Sequence, residues 1–213
     1  MRPQWVVDNW PEIWQLSLTH MNLAWPPLVL SVLIALPIGW WAHQARWGRD
    51  VIVSIAALLY TIPSLVLFVL MPLVLGTSII SPLNVVVALT IYGIALQVRT
   101  TADAFDGVDK LQLETAEALG YSRLQRALSV ALPLAGPVIL GGARVVSAST
   151  ISLISVGSLI GVRSLGTLFT SGFLRAFPTE IMVGIVGTVV IAMLFDVILV
   201  ALGRLLMPWR GRR

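Results

Sequence analysis

The sequence predicts an all-α membrane protein: one domain over residues 1–213, with five transmembrane helices and a pair of polar helices between the third and fourth. Three observations predict it. Only 11% of the residues are charged and 57% are apolar, with a mean hydropathy of +0.91, whereas soluble domains carry about 25% charged residues. The apolar residues gather into five runs, each supplying the roughly 20 residues that cross a bilayer. One long polar, helix-prone stretch, Glu114 to Pro133, stands between these runs.

The net charge of +4 does not point to nucleic acid, because the cations are spread over short segments between spans and over the C-terminus instead of forming one patch. The absence of cysteine excludes disulfides, thiolate metal sites and cysteine nucleophiles. His20 and His43 are far apart in the chain, and each is expected at the end of a span rather than on a metal.

The first residues, MRPQWVVDNWPEIWQ, mix tryptophan with charge and lack the apolar core of a signal peptide, so no cleavage is expected. Trp5, Trp10, Trp14 and Trp25 admit two readings, an aromatic cage for a quaternary ammonium ion or an interfacial belt, of which the belt is preferred. Trp40, Trp41 and Trp47 mark the opposite interface.

The first span covers about 13–42, with Pro26 and Pro27 expected to bend it, and ends in His43, Arg46 and Arg49. The second covers about 51–75. Its Pro63 and Pro72 free backbone carbonyls that neighbouring helices or a water-lined cavity can satisfy, and such kinks suit a pathway-lining helix. The third, about 84–101, runs into Asp103, Asp106, Asp109 and Lys110.

The polar segment 109–133 follows as a knuckle of two short helices. Asp109 caps the first with Gln112 at the third position, Gly120 takes the left-handed C-terminal place, Ser122 caps the second with Gln125, and Pro133 stops it. The fourth span, about 134–155, carries Gly136, Gly141, Gly142, Ala143, Ser147, Ala148 and Ser149, a small-residue face for close packing in lipid. Glycines at 157, 161, 166 and 172 then predict an irregular or re-entrant segment with a small helix, before the fifth span at about 180–206.

Placing the 43–50 loop, the 99–132 segment and the C-terminal tail on one side gathers Arg46, Arg49, Arg99, Lys110, Arg123, Arg126, Arg204, Arg210, Arg212 and Arg213 there, against Arg2, Arg163 and Arg175 opposite. By the positive-inside rule the N-terminus is outside, and the knuckle and C-terminus are cytoplasmic. Within the spans, Thr61, Pro63, Ser64, Tyr92, Gln97, Ser147 and Ser152 are the polar or kink-forming residues expected to line a pathway, against the plainer reading in which the hydroxyls bond their own helices. Arg144 and Asp196 lie inside spans four and five. They are expected to pair with each other; the alternatives are that Arg144 snorkels to the interface or meets Asp103.

The chain's one lysine, Lys110, lies in GVDKL, so there is no phosphate-binding loop of the form GxxxxGK[ST]. No paired-carboxylate, Ser-His-Asp or metal-ligand pattern is present either, and the expectation is a non-enzymatic subunit without a cofactor or metal of its own. The spacing of Glu114, Thr115, Ala116, Gly120, Val130, Leu132 and Pro133 resembles the "EAA" loop of bacterial ABC importer permeases, with Thr115 in place of alanine and Val130 in place of isoleucine. TIPSLVLFVLMPLVLG (61–76), ALTIYGIALQVRT (88–100) and SVGSLIGVRSLGTLF (155–169) are similar to permeases of osmoprotectant importers, which often carry Gly-Gly-Leu-Gly where this chain has Arg163-Ser164-Leu165-Gly166.

The resemblance implies a type I ABC importer permease fold. Coupling to the ATPase would fall to Glu114, Thr115, Ala116, Gly120, Tyr121, Arg123, Leu132 and Pro133. It also implies two ABC ATPase subunits that use ATP and magnesium, a second permease subunit, identical or related, and an extracytoplasmic binding protein, all in contact with membrane lipid and none with nucleic acid. The solute it implies is a compatible solute such as glycine betaine, choline or carnitine. Alternatives are a methionine-type or other amino-acid importer and, from other classes, an ion-coupled secondary transporter, for which no inverted repeat is visible, or a structural membrane protein.

Overall fold

A computed structural model describes residues 2–45 and 48–209, so Arg46, Trp47, Arg210, Arg212 and Arg213 lie outside the described residues. Everything regular in it is helical: α1 (Pro3–Asp8), α2 (Trp10–Gln44), α3 (Gly48–Thr61), α4 (Ser64–Leu75), α5 (Pro82–Asp106), α6 (Lys110–Ala118), α7 (Arg123–Arg126), α8 (Leu132–Val156), α9 (Gly166–Leu174) and α10 (Pro178–Leu206). Among the described residues, four continuous helical stretches are long and apolar enough to cross a membrane, and the count is five when α3 and α4 together make one span.

Helix α2 runs for 35 residues without a break, although Pro26, Pro27 and Pro37 lie inside it. At 1.5 Å per residue it is roughly 50 Å long, well beyond the hydrocarbon thickness. The second expected span is not one kinked helix. Its two parts turn through 98° at Ile62 and Pro63, where proline removes an amide donor and pushes the preceding residue out of the helical region, while Pro72 stays within α4. Neither part, of 14 and 12 residues, reaches across a bilayer alone.

Helix α5 is the axis of the bundle. Val85, Ala88, Leu89, Gln97, Thr101 and Ala102 on it are fully enclosed, and α2, α3, α4 and α8 pack around it. Small residues set the approach distances. A Cβ added at Gly142 of α8 would lie 2.7 Å from Thr100 Cγ2 and 2.8 Å from Gln97 Oε1, whereas one at the neighbouring Gly141 would meet nothing within 4 Å. Gly142→Leu is therefore expected to destabilise the fold by about 1–3 kcal/mol, the usual cost of overpacking, and Gly141→Leu to leave it unchanged; thermal unfolding of the two variants in detergent measures the difference.

The helical stretch after the knuckle corrects an expectation. Pro133 does not stop a second short helix: α7 passes through a π turn, Ala127–Ala131, straight into α8. The wider π turn comes immediately before the start of α8, so that Pro133, which has no amide hydrogen and would crowd the carbonyl four residues back in a regular α-helix, falls in the first turn of α8, where proline is tolerated. The fourth span and the second knuckle helix are one rod.

His20 is likewise not at a span end. It is fully buried within α2, with Nε2 3.0 Å from the Ile151 carbonyl oxygen of α8. Trp10, Trp14 and Trp25 are each more than half exposed along α2, and Trp5 packs edge-on against Phe177 at 5.4 Å, so the four rings do not converge into a cage within one chain. Two apolar clusters hold the bundle: a large one of α2, α4, α5 and α8–α10 residues, and a smaller one of Ala104, Phe105, Val108, Ala131, Ala135 and Ile139 on which the knuckle sits.

Candidate functional site

The knuckle is built by local hydrogen bonds. Asp109 Oδ1 accepts from the Leu111 amide at 3.0 Å and starts α6. Gln112 does not reciprocate with its side chain, as the expected capping box requires, and instead gives its backbone amide to the Asp109 carbonyl. At the other end the Tyr121 amide bonds the Ala116 carbonyl at 3.1 Å and the Gly120 amide bonds the Glu117 carbonyl at 2.9 Å, the paired bonds of a Schellman motif. Gly120 has φ +85°, in the left-handed region that glycine enters freely.

Ser122 then forms a full capping box: its Oγ accepts from the Gln125 amide at 3.3 Å, and Gln125 Oε1 accepts from the Ser122 amide at 2.8 Å. An ion pair between Glu117 and Arg126 ties α6 to α7. Leu113 packs into the smaller apolar cluster and Ala116 is buried, so the elbow is anchored from within.

Its outer surface carries Glu114, Thr115, Gly120, Tyr121 and Arg123, all exposed, with Leu132 and Pro133 half-buried at the root. Thr115 Oγ1 donates to the Leu111 carbonyl of its own helix. Sequence reasoning missed Leu111, Leu119 and Leu124, which are 67%, 73% and 69% exposed, and the Glu117–Arg126 pair. The signal for the leucines was their presence in an otherwise polar segment, where no span absorbs them.

Behind the knuckle a charged network joins the α2–α3 junction to the end of α5. His43 Nδ1 lies 2.6 Å from Asp106 Oδ1, and Arg49 donates from Nε to Asp106 at 2.9 Å and from Nη2 to Asp103 at 2.6 Å. Asp103 thus engages Arg49, and not Arg144.

The residues expected to line a pathway divide into two groups. Tyr92, Gln97 and Ser147 are buried, and Tyr92 Oη, Gln97 Oε1 and Ser147 Oγ find no hydrogen-bond partner among the described residues. Gln97 Nε2 donates to the Ile139 carbonyl at 3.0 Å, and the rings of Tyr60 and Tyr92 meet edge to face with centroids 5.7 Å apart. Thr61, Pro63 and Ser152 are exposed and Ser64 is half-buried, with Thr61 Oγ1 donating to its own helix at the Leu58 carbonyl. The structure does not bring these seven residues to one surface of a single chain.

Arg144 and Asp196 form a bidentate contact, Nε to Oδ1 at 2.5 Å and Nη2 to Oδ2 at 2.8 Å, between α8 and α10. Both side chains are close to half exposed. The irregular segment is also ordered by its own polar groups. Ser164 is fully buried, its Oγ donating to the Ile154 carbonyl and accepting from the Gly166 amide at 3.1 Å. A Cβ on Gly166 would fall 2.6 Å from Ser155 Cα, so α9 starts with its backbone against α8. Among the described residues no group of three or more His, Asp or Glu side chains is placed to share a metal ion.

Residues 23–212 match the family described as "binding-protein-dependent transport system inner membrane component". The chain is similar to the choline transport system permease protein of Bacillus subtilis, 28% identical and covering 96% of this chain and 93% of the relative. It is also similar to an osmoprotectant import permease of Salmonella typhimurium, 30% identical with 96% of each chain covered. Among solved structures, the inward-facing MetNI methionine ABC transporter has the same fold, with a TM-score of 0.79, 20% identity, and coverage of 89% of this chain and 94% of that one.

Proposed function

Because the chain belongs to the family of binding-protein-dependent transport system inner membrane components, we propose that it is the non-enzymatic permease subunit of an ATP-driven importer for a compatible solute such as glycine betaine, choline or carnitine. The observation that carries this reading is the knuckle: a doubly capped elbow, anchored in the membrane core, that presents Leu119, Tyr121 and Leu124 outward. Exposed leucines on an ordered polar elbow suit a protein partner. That partner is the ATPase, present twice, which binds and hydrolyses ATP with magnesium; this chain holds neither. The solute class is supported by the names of its choline and osmoprotectant relatives.

In the assembly a second permease subunit, identical or related, completes the route, and an extracytoplasmic binding protein delivers solute opposite the knuckle. The N-terminus lies outside and the C-terminus in the cytoplasm, as the arginine distribution favours. The helix is continuous from α7 through α8, and by this continuity displacement of the knuckle by the ATPase is transmitted toward Ser147 and its neighbours.

The chain has no cysteine, which makes single-cysteine tests clean. Leu124→Cys is expected to cross-link to the ATPase in membranes containing both. Cysteines at Tyr92, Gln97 and Ser147 are expected to react with a water-soluble thiol reagent at rates that change with ATP. No cross-link at Leu124 together with labelling at none of the three in either nucleotide state would overturn the reading.

A further inference from the structure

We propose that Tyr60, packed against Tyr92 beside the break between α3 and α4, contacts the quaternary ammonium group of the solute near the middle of the membrane. The inference rests on the solute class proposed above. Of the aromatic rings on α3, α4 and α5, Phe68, Tyr92 and Phe105 are buried, and Tyr60 is 45% exposed. The centroids of Tyr60 and Tyr92 are 5.7 Å apart with the rings at 80°, an edge-to-face pair that holds the exposed ring in place and leaves it at least one π face for a third group.

The pair lies at mid-depth. Arg49 at the start of α3 bonds Asp103 and Asp106 at the end of α5; from that charged network Tyr60 is roughly 17 Å along α3 and Tyr92 roughly 21 Å back along α5, at 1.5 Å per residue, in a hydrocarbon core about 30 Å thick. Tyrosine ordinarily sits at the membrane surface, so an exposed one at this depth needs surroundings other than lipid. The break supplies them. Tyr60, Thr61 and Pro63 are exposed at a 98° turn, and irregular backbone at membrane depth is tolerated only where protein or a water-filled cavity covers it. Tyr92 adds a second mark: it is 5% exposed, yet its Oη has no hydrogen-bond partner among the described residues, an arrangement that is costly until a further polar group arrives.

Charge and hydrogen bonding select the solute group. A quaternary ammonium has no N–H to donate, so a carboxylate or a π face must hold it. The carboxylates within the spans are already engaged: no acidic residue lies between 51 and 102, Asp196 is taken by Arg144, and Glu180 by Arg175. The face of a tyrosine ring attracts such a cation through its quadrupole, and does so weakly enough to release it, as a site on a route of passage requires. A primary ammonium, as in an amino acid, would leave its N–H donors unpaired on the same ring.

The test compares initial uptake of labelled glycine betaine, choline and carnitine in a strain lacking other importers that expresses the chain with its ATPase and binding protein. The variants are Tyr60→Phe, Tyr60→Leu, and phenylalanine rings bearing one, two and three fluorines at position 60, each rate normalised to folded protein. Uptake is expected to fall about 2- to 30-fold from Tyr60→Phe to Tyr60→Leu, the weight of one cation–π contact. It is also expected to fall stepwise with each fluorine, which drains the quadrupole of the ring while keeping its shape, a gradation that a packing role does not produce. If Tyr60→Leu fails to fold, the fluorine series decides alone. Equal rates across that series would overturn the site and leave the importer reading intact, whereas no uptake of any of the three solutes by the unaltered chain would overturn the solute class and the site together.

Discussion

Gly120→Val is expected to cut solute uptake about 5- to 30-fold while the protein still reaches the membrane in normal amount. Gly120 has φ +85° and nothing within 4 Å of an added Cβ, so the penalty comes entirely from the backbone. An L-residue in the left-handed region costs about 1–2 kcal/mol, which is a factor of about 5–30 in the population of the native elbow. If valine moves out of that region, the bonds from Gly120 and Tyr121 to Glu117 and Ala116 are lost and α7 is no longer aimed by α6. The spans fold without those bonds, so membrane insertion survives. Gly120→Asn, which tolerates the left-handed region, should keep most of the activity. Glu114→Lys, on the exposed face, should weaken retention of the ATPase without changing the elbow. Normal uptake and normal ATPase co-purification with both Gly120→Val and Glu114→Lys would show that the elbow is not the coupling element.

The second large effect concerns Arg144 and Asp196. Arg144→Asp and Asp196→Arg each set two like charges side by side within membrane-spanning helices and are expected to remove most of the folded protein, measured as the monodisperse fraction after extraction in mild detergent. The double exchange restores the bidentate contact with its ends reversed and is expected to recover most of the yield. The contact lies on the outside of the bundle, with both groups near half exposed, so the exchange does not need the core to repack. Single variants that fold normally, or a double variant that recovers nothing, would remove this pair from the set of interactions that join α8 to α10.

What the sequence made legible was the chemistry of local caps. Ser122 with Gln125, and Gly120 after α6, are patterns whose partners lie within five residues, and both form. Proline was harder to read, because its effect depends on what holds the helix around it. Pro26, Pro27 and Pro37 remain inside α2, which packs along α5 and α8. Pro63 ends a helix whose one enclosed residue is Ala56, so packing does not compensate for the lost hydrogen bond. Pro133 looked like a stop because the π turn before it leaves no mark in composition.

Leu119 and Leu124 stand in a polar segment on either side of the turn, where no apolar periodicity marks them, and both are exposed. His20 sits seven residues past the expected start of its span, and only its bond to the Ile151 carbonyl places it in the interior. The departure at Arg163-Ser164 likewise has a local meaning that the linear pattern did not carry: Ser164 is buried and ties the start of α9 to α8.

The proposed function is ATP-driven import of a compatible solute through this chain. It is tested by uptake of labelled glycine betaine, choline, carnitine and methionine in a bacterial strain lacking other importers, expressing the chain with its ATPase and binding protein, with and without depletion of ATP. Saturable uptake of at least one of the first three is expected, lost on ATP depletion and reduced in Gly120→Val. Uptake of methionine alone, or uptake that follows an ion gradient and survives ATP depletion, would contradict it.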